Sequence, residues 1–461
     1  MNTHLKNQPT PAKASGYLIR LAVTGALAGF IFGFDTVVIS GANLPIKELW
    51  NTSPWFHGFF IMSMALWGTV AGSLLGGIPT DKYGRKKVLL WIGIFFSVSA
   101  IGSALAQDPY TFSFFRFLGG LGIGISSVAA PTYISEISTP ATRGRLVAMY
   151  QFNIVFGILI AFLSNYFLEG VGGQNDWRWM LGVMTLPSLI YTLMVFGIPE
   201  SPRWLIAKKN DTAKAATILA QLGVANPQTE VASISTSVQN ELSKGQSKGF
   251  FSSKYKTILW LAFMVAFFNQ FSGINFILYY APEILERAGL AAKESLFNSI
   301  AIGGTNLIFT FVGLYLIDKA GRKTLLIIGS IGYIISLAMV AWSFYANAGP
   351  AVLMVFLLLF IAAHAVGQGA VIWVFIAEIF PNSIRATGQS FGASVHWVFA
   401  ALITLVTPVF LDAKDGIFNE NPWPIFAFFA FMMALQLVWV LTKVPETKGV
   451  SLEDLEKQLI R

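Results

Sequence analysis

The chain has 461 residues, 55% of them hydrophobic and 12% charged, where a soluble domain carries roughly a quarter charged residues. This composition excludes an ordinary soluble enzyme and points to a chain that crosses a membrane many times. The absence of cysteine excludes disulfides, thiol catalysis and cysteine-held metals, and the net charge of +8 lies in short loops between apolar runs, a pattern of membrane topology and not of nucleic-acid binding.

In chain order, residues 1–16 are polar and lack the apolar core and cleavage site of a signal peptide, so they read as a short cytoplasmic tail. Apolar stretches of about 18 to 25 residues then predict about twelve spans, near 18–40, 56–78, 88–106, 112–134, 146–168, 178–198, 257–282, 298–317, 324–345, 351–379, 389–411 and 424–443. A polar stretch with helical pieces such as "DTAKAATILAQLG" separates the sixth span from the seventh. The expected organisation is a tail at 1–17, a six-helix bundle at 18–202, a cytoplasmic helical linker at 203–252, a second six-helix bundle at 253–444 and a tail at 445–461.

Charge decides the orientation. Loops on one side carry "DKYGRKK" (81–87), "RGR" (143–145), the 203–252 stretch, "DKAGRKT" (318–324) and Arg385, whereas the other side carries isolated Lys47, Arg287, Lys293 and Lys414. Both termini and the long middle loop are therefore expected in the cytoplasm.

The first span contains "GFIFGFDTVVISG", which places Asp35 in an otherwise apolar run. A carboxylate at bilayer depth costs about 2.5 to 3.5 kcal/mol on insertion scales, so it needs a partner or a proton. The candidate partner is Arg116 in the fourth span, where Gly120 and Gly124 follow at four-residue steps and leave a helix face open for close approach. Gly25, Gly29 and Gly33 on the first span and Gly68, Gly72 and Gly76 on the second form similar stripes, read as packing surfaces without chemistry.

The strongest internal signal is a repeat. "DKYGRK" begins at Asp81 after the second span and "DKAGRK" at Asp318 after the eighth, which superposes one set of six spans on the other in the same orientation. "SEISTPATRGR" (135–145) pairs with "AEIFPNSIRATG" (377–388), and "PESPRW" (199–204) with "PETKG" (445–449). Asp81, Arg85, Glu136, Arg143, Glu200, Asp318, Arg322, Glu378, Arg385 and Glu446 thereby become candidate gating charges, acids and bases at helix ends that can pair across helices in one state and separate in another.

"GFDTVVISG", "DKYGRKK", "RFLGGLGIG", "PESPRWL", "NQFSGINFILYYAPEI", "DKAGRK", "WVFIAEIFPNSIR" and "PETKGVSLEDLE", in this order and spacing, resemble the sugar porter family of the major facilitator superfamily from about residue 18 to 456. The resemblance implies an all-α membrane protein of twelve helices in two six-helix bundles, with a central cavity whose access alternates as the bundles rock. A pyranose has polar edges and an apolar face, and amides offer it both donor and acceptor. By resemblance Gln151, Gln270, Asn275, Asn306 and Trp373 match sugar-binding positions and Tyr279 lines the cavity. An interhelical hydrogen bond, or core packing for Trp373, is the plain alternative for each. Gln270 and Asn275 stand about 140° apart on an ideal helix, so they share a cavity only if that face is wide or the helix breaks, for which Gly273 is the candidate position. Asn269 stands where the family commonly has a second glutamine, Ile158 where facilitative members have isoleucine, Ala370 where proline is usual, and His396 where glutamine or asparagine is usual. His396 is a candidate sugar ligand or a satisfied interhelical histidine.

The resemblance also matches Asp35 and Arg116 to the acid and base of proton coupling in bacterial sugar symporters. Facilitative members often carry asparagine at the Asp35 position, so the acid favours symport over uniport. The expected function is proton-coupled monosaccharide import by a multi-pass protein of the inner or plasma membrane, acting as a monomer in the lipid bilayer, with a facilitative uniporter as the alternative and a sugar sensor behind it. No metal, cofactor or nucleic-acid partner is expected, and no nucleophile or carboxylate dyad within the spans suggests an enzyme.

Overall fold

The computed structural model describes residues 16–243, 249–381, 384–450 and 452–459. The expected N-terminal tail lies almost wholly outside the described residues, as do 244–248 of the linker, 382–383 of the "AEIFPNSIRATG" motif, and 451 and 460–461 of the C-terminal tail. Among the described residues there is no strand. Eleven helices are long and apolar enough to cross a membrane, and a twelfth span is made by Pro54–Met62 and Met64–Leu75, which bend by 43° at their junction. In order the spans are Gly16–Trp50, that bent pair, Arg85–Leu105, Pro109–Ile137, Thr142–Leu168, Gly173–Phe196, Ser253–Arg287, Ala292–Ala320, Arg322–Tyr345, Pro350–Ile379, Arg385–Leu411 and Trp423–Lys443. Number and order agree with the sequence. The first span runs on to Trp50, beyond the expected end near residue 40, because the polar residues Ser40 and Asn43 are buried among other helices and do not face a loop.

Glycine stripes set the closest helix pairs. A Cβ at Gly29 or Gly33 would collide with the backbone of Tyr150 or Ile154, which ties the first span to the fifth. Gly68 and Gly72 meet the fourth span at Phe117 and Leu121, and Gly120 and Gly124 return the contact at Ala65 and Thr69. The glycine face of the fourth span is therefore taken by the second span and does not admit the Asp35 helix. Gly119, on another face, borders Asp35. Backbones this close gain dispersion along their full length, the main attraction available where lipid removes the hydrophobic driving force.

Four spans are interrupted among the described residues: the second at its bend, the sixth between Gly182 and Thr185, and the seventh and tenth. The seventh breaks at Gly273, whose φ of +85° is left-handed and suits glycine, leaving Lys256–Phe271 and Ile274–Arg287 as separate segments. The second segment kinks at Tyr280 (φ −116°, ψ 17°), two residues before Pro282, which cannot donate to the helix ladder. The tenth span is interrupted at Gly367 and not at Ala370, whose Cβ instead packs towards Gly313. Gly367 crosses Gly329 of the ninth span at close range, Gln368 Nε2 donates to Gln436 Oε1 (2.9 Å) and Gln436 Nε2 donates in turn to Ser330 Oγ (2.8 Å), so side-chain amides secure the break.

The linker carries the expected helices, Thr212–Gln221 and Pro227–Ser243. The first is capped by Asp211, whose carboxylate accepts from Lys214 N at 3.0 Å.

Candidate functional site

Asp35 and Arg116 meet as the sequence suggests, at 0% and 2% exposure. Arg116 Nη1 donates to Asp35 Oδ1 at 2.5 Å and Nη2 donates to the Asp35 backbone carbonyl at 3.2 Å. Asp35 Oδ2 and Arg116 Nε have no hydrogen-bond partner among the described residues. One carboxylate oxygen is held by the guanidinium, and the other is buried and uncommitted. Such a pair is an ionic contact with one atom left to accept a proton. Thr36, the next residue, lies against Tyr279 of the seventh span, which is buried and close enough to the pair to feel both charges.

The amides gather around the break at Gly273. Asn275 Nδ2 donates to Gln270 Oε1 at 2.9 Å, so the left-handed glycine brings together two side chains that an unbroken helix would set on different faces. Gln270 Nε2 donates to Asn269 Oδ1 at 3.0 Å and lies 3.1 Å from His396 Nε2 and 3.2 Å from its Nδ1. His396 is thus an interhelical hydrogen-bond partner between the seventh and eleventh spans. Its ring also stands 5.0 Å from that of Trp373, which is 37% exposed beside this otherwise buried cluster. Donors, acceptors and an exposed aromatic face sit side by side, the chemistry that an uncharged polyhydroxylated ring needs.

Gln151 and Asn306 belong to the fifth and eighth spans and share no side-chain hydrogen bond with this cluster. These two spans pack across the bundles through Leu159 and Phe162 against Gly303, and through Phe152 against Phe311 at 5.5 Å. Gln151 is half-buried and Asn306 is 6% exposed, and neither makes a side-chain hydrogen bond within the described residues.

The repeated motifs form two copies of one structure. Gly84 (φ +96°, ψ 162°) and Gly321 (φ +92°, ψ 163°) make the same turn. Arg85 grips Glu136 through Nε (2.9 Å) and Nη2 (2.8 Å), and Arg322 grips Glu378 through Nε (3.1 Å) and Nη2 (2.7 Å). Arg85 N donates to Glu200 at 2.9 Å and Arg322 N to Glu446 at 2.9 Å. A Cβ on either glycine would strike that carboxylate, so glycine is needed both for the turn and for the anion. Burial pushes the Glu200 carboxyl above the usual carboxylate range, opposed by the backbone N–H groups of Ser201, Lys86 and Arg85.

Every one of these acid–base pairs lies within one set of six spans. Asp81 and Asp318 contribute only exposed contacts to Arg85 (3.2 Å) and Arg322 (3.4 Å). Arg143 and Arg385 bond to backbone carbonyls of Ser135 and Phe380, both at 3.3 Å, and to no acid among the described residues. Sequence reading grouped all ten charges alike. The structure separates a half-buried bidentate core from Asp81, Asp318 and Arg143, which are exposed, and from Arg385, which is half-buried but holds no acid among the described residues.

Comparison with known proteins agrees with this architecture. The profile of the family described as sugar (and other) transporter matches residues 21–459. The chain is 35% identical to an arabinose-proton symporter of Bacillus subtilis, over 99% of this chain and 100% of that one. It is 30% identical to the D-xylose-proton symporter of Escherichia coli, over 96% of each chain. Among solved structures, the E. coli xylose transporter in a partially occluded inward-open conformation superposes with a TM-score of 0.83 at 29% identity, covering 95% of this chain and 100% of that one. The same major facilitator protein bound to 6-bromo-6-deoxy-D-glucose superposes at 0.77 and 29% identity, covering 97% and 100%. With the repeated turns, the broken seventh span and a match along nearly its whole length, the chain belongs to the sugar transporter family and has the major facilitator fold.

Proposed function

We propose that this protein imports a monosaccharide together with a proton. The carrying observation is Asp35, a fully buried carboxylate that gives one oxygen to Arg116 and leaves the other without a partner. A static salt bridge gains most when both oxygens are satisfied, whereas a proton carrier needs one oxygen available. The names of the arabinose and xylose relatives, both proton symporters, support the same reading. Gln270, Asn275, Asn269, His396 and Trp373 form the proposed sugar surface, with Gln151 and Asn306 offering uncommitted amides and Tyr279 linking that surface to Thr36. The basic loops, the linker and both termini face the cytoplasm, the protein resides in the cell membrane, and a monomer of two bundles, 18–202 and 253–444, suffices for transport.

The test is uptake of a panel of labelled hexoses and pentoses into proteoliposomes. At least one sugar is expected to accumulate above its external concentration when an inward proton gradient is imposed, and only to equilibrate without it. Equilibration under both conditions would replace symport by uniport.

The loop geometry ranks the gating charges. Glu136→Gln and Glu378→Gln, which weaken a half-buried bidentate grip, are expected to slow turnover more than Asp81→Asn and Asp318→Asn, whose exposed pairs contribute only about 0.3–0.5 kcal/mol each. Equilibrium sugar binding should stay near wild type in all four. Initial uptake rates measured beside binding check the order, and a larger rate defect in the aspartate variants would reverse the assignment.

A further inference from the structure

Many buried polar side chains of the first six spans have protein partners. Asn43 Nδ2 donates to Glu283 Oε2 at 2.6 Å, and Asn43 Oδ1 lies 2.8 Å from His57 Nε2. A serine inside a helix can satisfy itself by donating to the carbonyl one turn back. On the third span Ser97 does so, with Oγ 2.9 Å from the Gly93 carbonyl. Two other serines of that span do not. Ser99 and Ser103 are 0% and 1% exposed, and neither hydroxyl has a partner among the described residues. Four residues apart, they share one helix face.

That face meets the fourth span beside the ion pair. A Cβ built on Gly119 would lie 2.4 Å from Ser99 Oγ and 3.7 Å from Asp35 Oδ2. The two oxygens therefore stand within about 6 Å of each other across a residue without a side chain, unbonded to one another, a spacing that one water spans with two hydrogen bonds. Gly102 faces Phe115, so the third and fourth spans run antiparallel in a register that brings Ser103 level with Arg116, whose Nε is also uncommitted. The third span leads from Arg85 at the repeated turn to Leu105 at the opposite end, which sets Ser103 one turn outward of Ser99. Four uncommitted polar atoms thus converge in one buried place, where bridging water is the ordinary way to satisfy them.

We propose that Ser99 and Ser103, joined by bridging water, relay the proton between Asp35 Oδ2 and the end of the third span opposite the repeated loops. The route runs inside the first bundle, apart from the amides around Gly273. Each hydroxyl takes a proton on a lone pair and passes its own O–H proton to the next oxygen, then rotates back, so one proton moves and the serines are unchanged. The last acceptor is Asp35 Oδ2, which forms the new O–H bond and loses its charge while Arg116 keeps its own. Ser97 cannot serve, because its hydroxyl is committed to its own helix. The inference rests on the symport reading with Asp35 as the proton carrier. It concerns the rate at which the proton arrives and leaves the energy of the coupled cycle untouched.

The test compares Ser99→Ala, Ser103→Ala and Ser97→Ala in proteoliposomes, using whichever of labelled D-glucose, D-xylose and L-arabinose the wild type accumulates best. Initial uptake under an inward proton gradient is expected to fall about tenfold or more in Ser99→Ala and in Ser103→Ala. The final accumulation ratio should still reach the wild-type value, since Asp35 continues to bind the proton. Sugar counterflow, in which the carboxyl stays protonated throughout the exchange, should also match wild type. Ser97→Ala should behave as wild type in all three measurements. A packing defect would slow counterflow and uptake together, so the split between them separates a relay from a structural role. A wild-type initial rate in either relay variant, an equal fall in Ser97→Ala, or a counterflow defect as large as the uptake defect overturns the proposal. Should the wild type accumulate none of the three sugars, the symport reading fails first and the relay falls with it.

Discussion

Asp35→Asn is expected to convert a concentrating transporter into one that only equilibrates its sugar. Asparagine keeps the shape and can still accept from Arg116, but it cannot carry a proton, so uphill accumulation under a pH gradient is lost while sugar counterflow remains. The membrane potential contributes about 2.3 kcal/mol per charge for each 100 mV, so the wild type should also respond to an imposed voltage and the variant should not. A second consequence is independent of transport. Removing one partner of a buried pair commonly costs about 3–5 kcal/mol, because the other charge is left uncompensated, so Asp35→Asn should also lower thermal stability in detergent. Accumulation and melting temperature measured on the same preparation check both. A variant that still concentrates sugar eliminates Asp35 as the proton carrier.

Gln270→Ala is expected to weaken sugar binding by about 1–3 kcal/mol, roughly 5- to 150-fold. Gln270 is the hub of the amide cluster, accepting from Asn275 and facing both Asn269 and His396. Its loss releases three side chains, whereas Asn275→Ala removes one spoke, so the Gln270 effect should be the larger. Calorimetric titration of the purified variants with the transported sugar decides. Unchanged affinity in both would move the sugar site away from the seventh span.

The span count, the repeat and the Asp35–Arg116 pair were legible in the sequence because each is written in local terms: a hydropathy run, a duplicated string, a charge where lipid tolerates none. The break at Gly273 was half legible: two amides five residues apart could share a cavity across a wide face or through a broken helix, and the left-handed glycine decides for the break. Other features depend on what the folded neighbours do. Gly120 and Gly124 announced a close approach but not by which helix, and the second span took it. The interruption at Gly367 was hidden because its cause is a tight crossing with Gly329, thirty-eight residues upstream in number but adjacent in space. The buried set Asn43, His57 and Glu283 carried no motif of its own. Glu283 stood inside "YYAPEI", where its partners, on the other bundle, could not be read from its neighbours in the chain.

The seventh span bears a mechanical consequence. Gly273 and the kink at Tyr280 are two joints in one rod, and the Tyr280 hydroxyl is pinned to the Thr404 carbonyl at 2.8 Å. The short piece between the joints carries Asn275 and Tyr279, while Glu283 sits beyond the second joint. A crank with two elbows does not pass rotation rigidly from one end to the other. The middle piece can turn on a bound ligand while the outer arm stays engaged with Asn43, and the outer arm can swing away while the middle piece keeps its grip. Capture and release are thereby given separate pivots on a single helix.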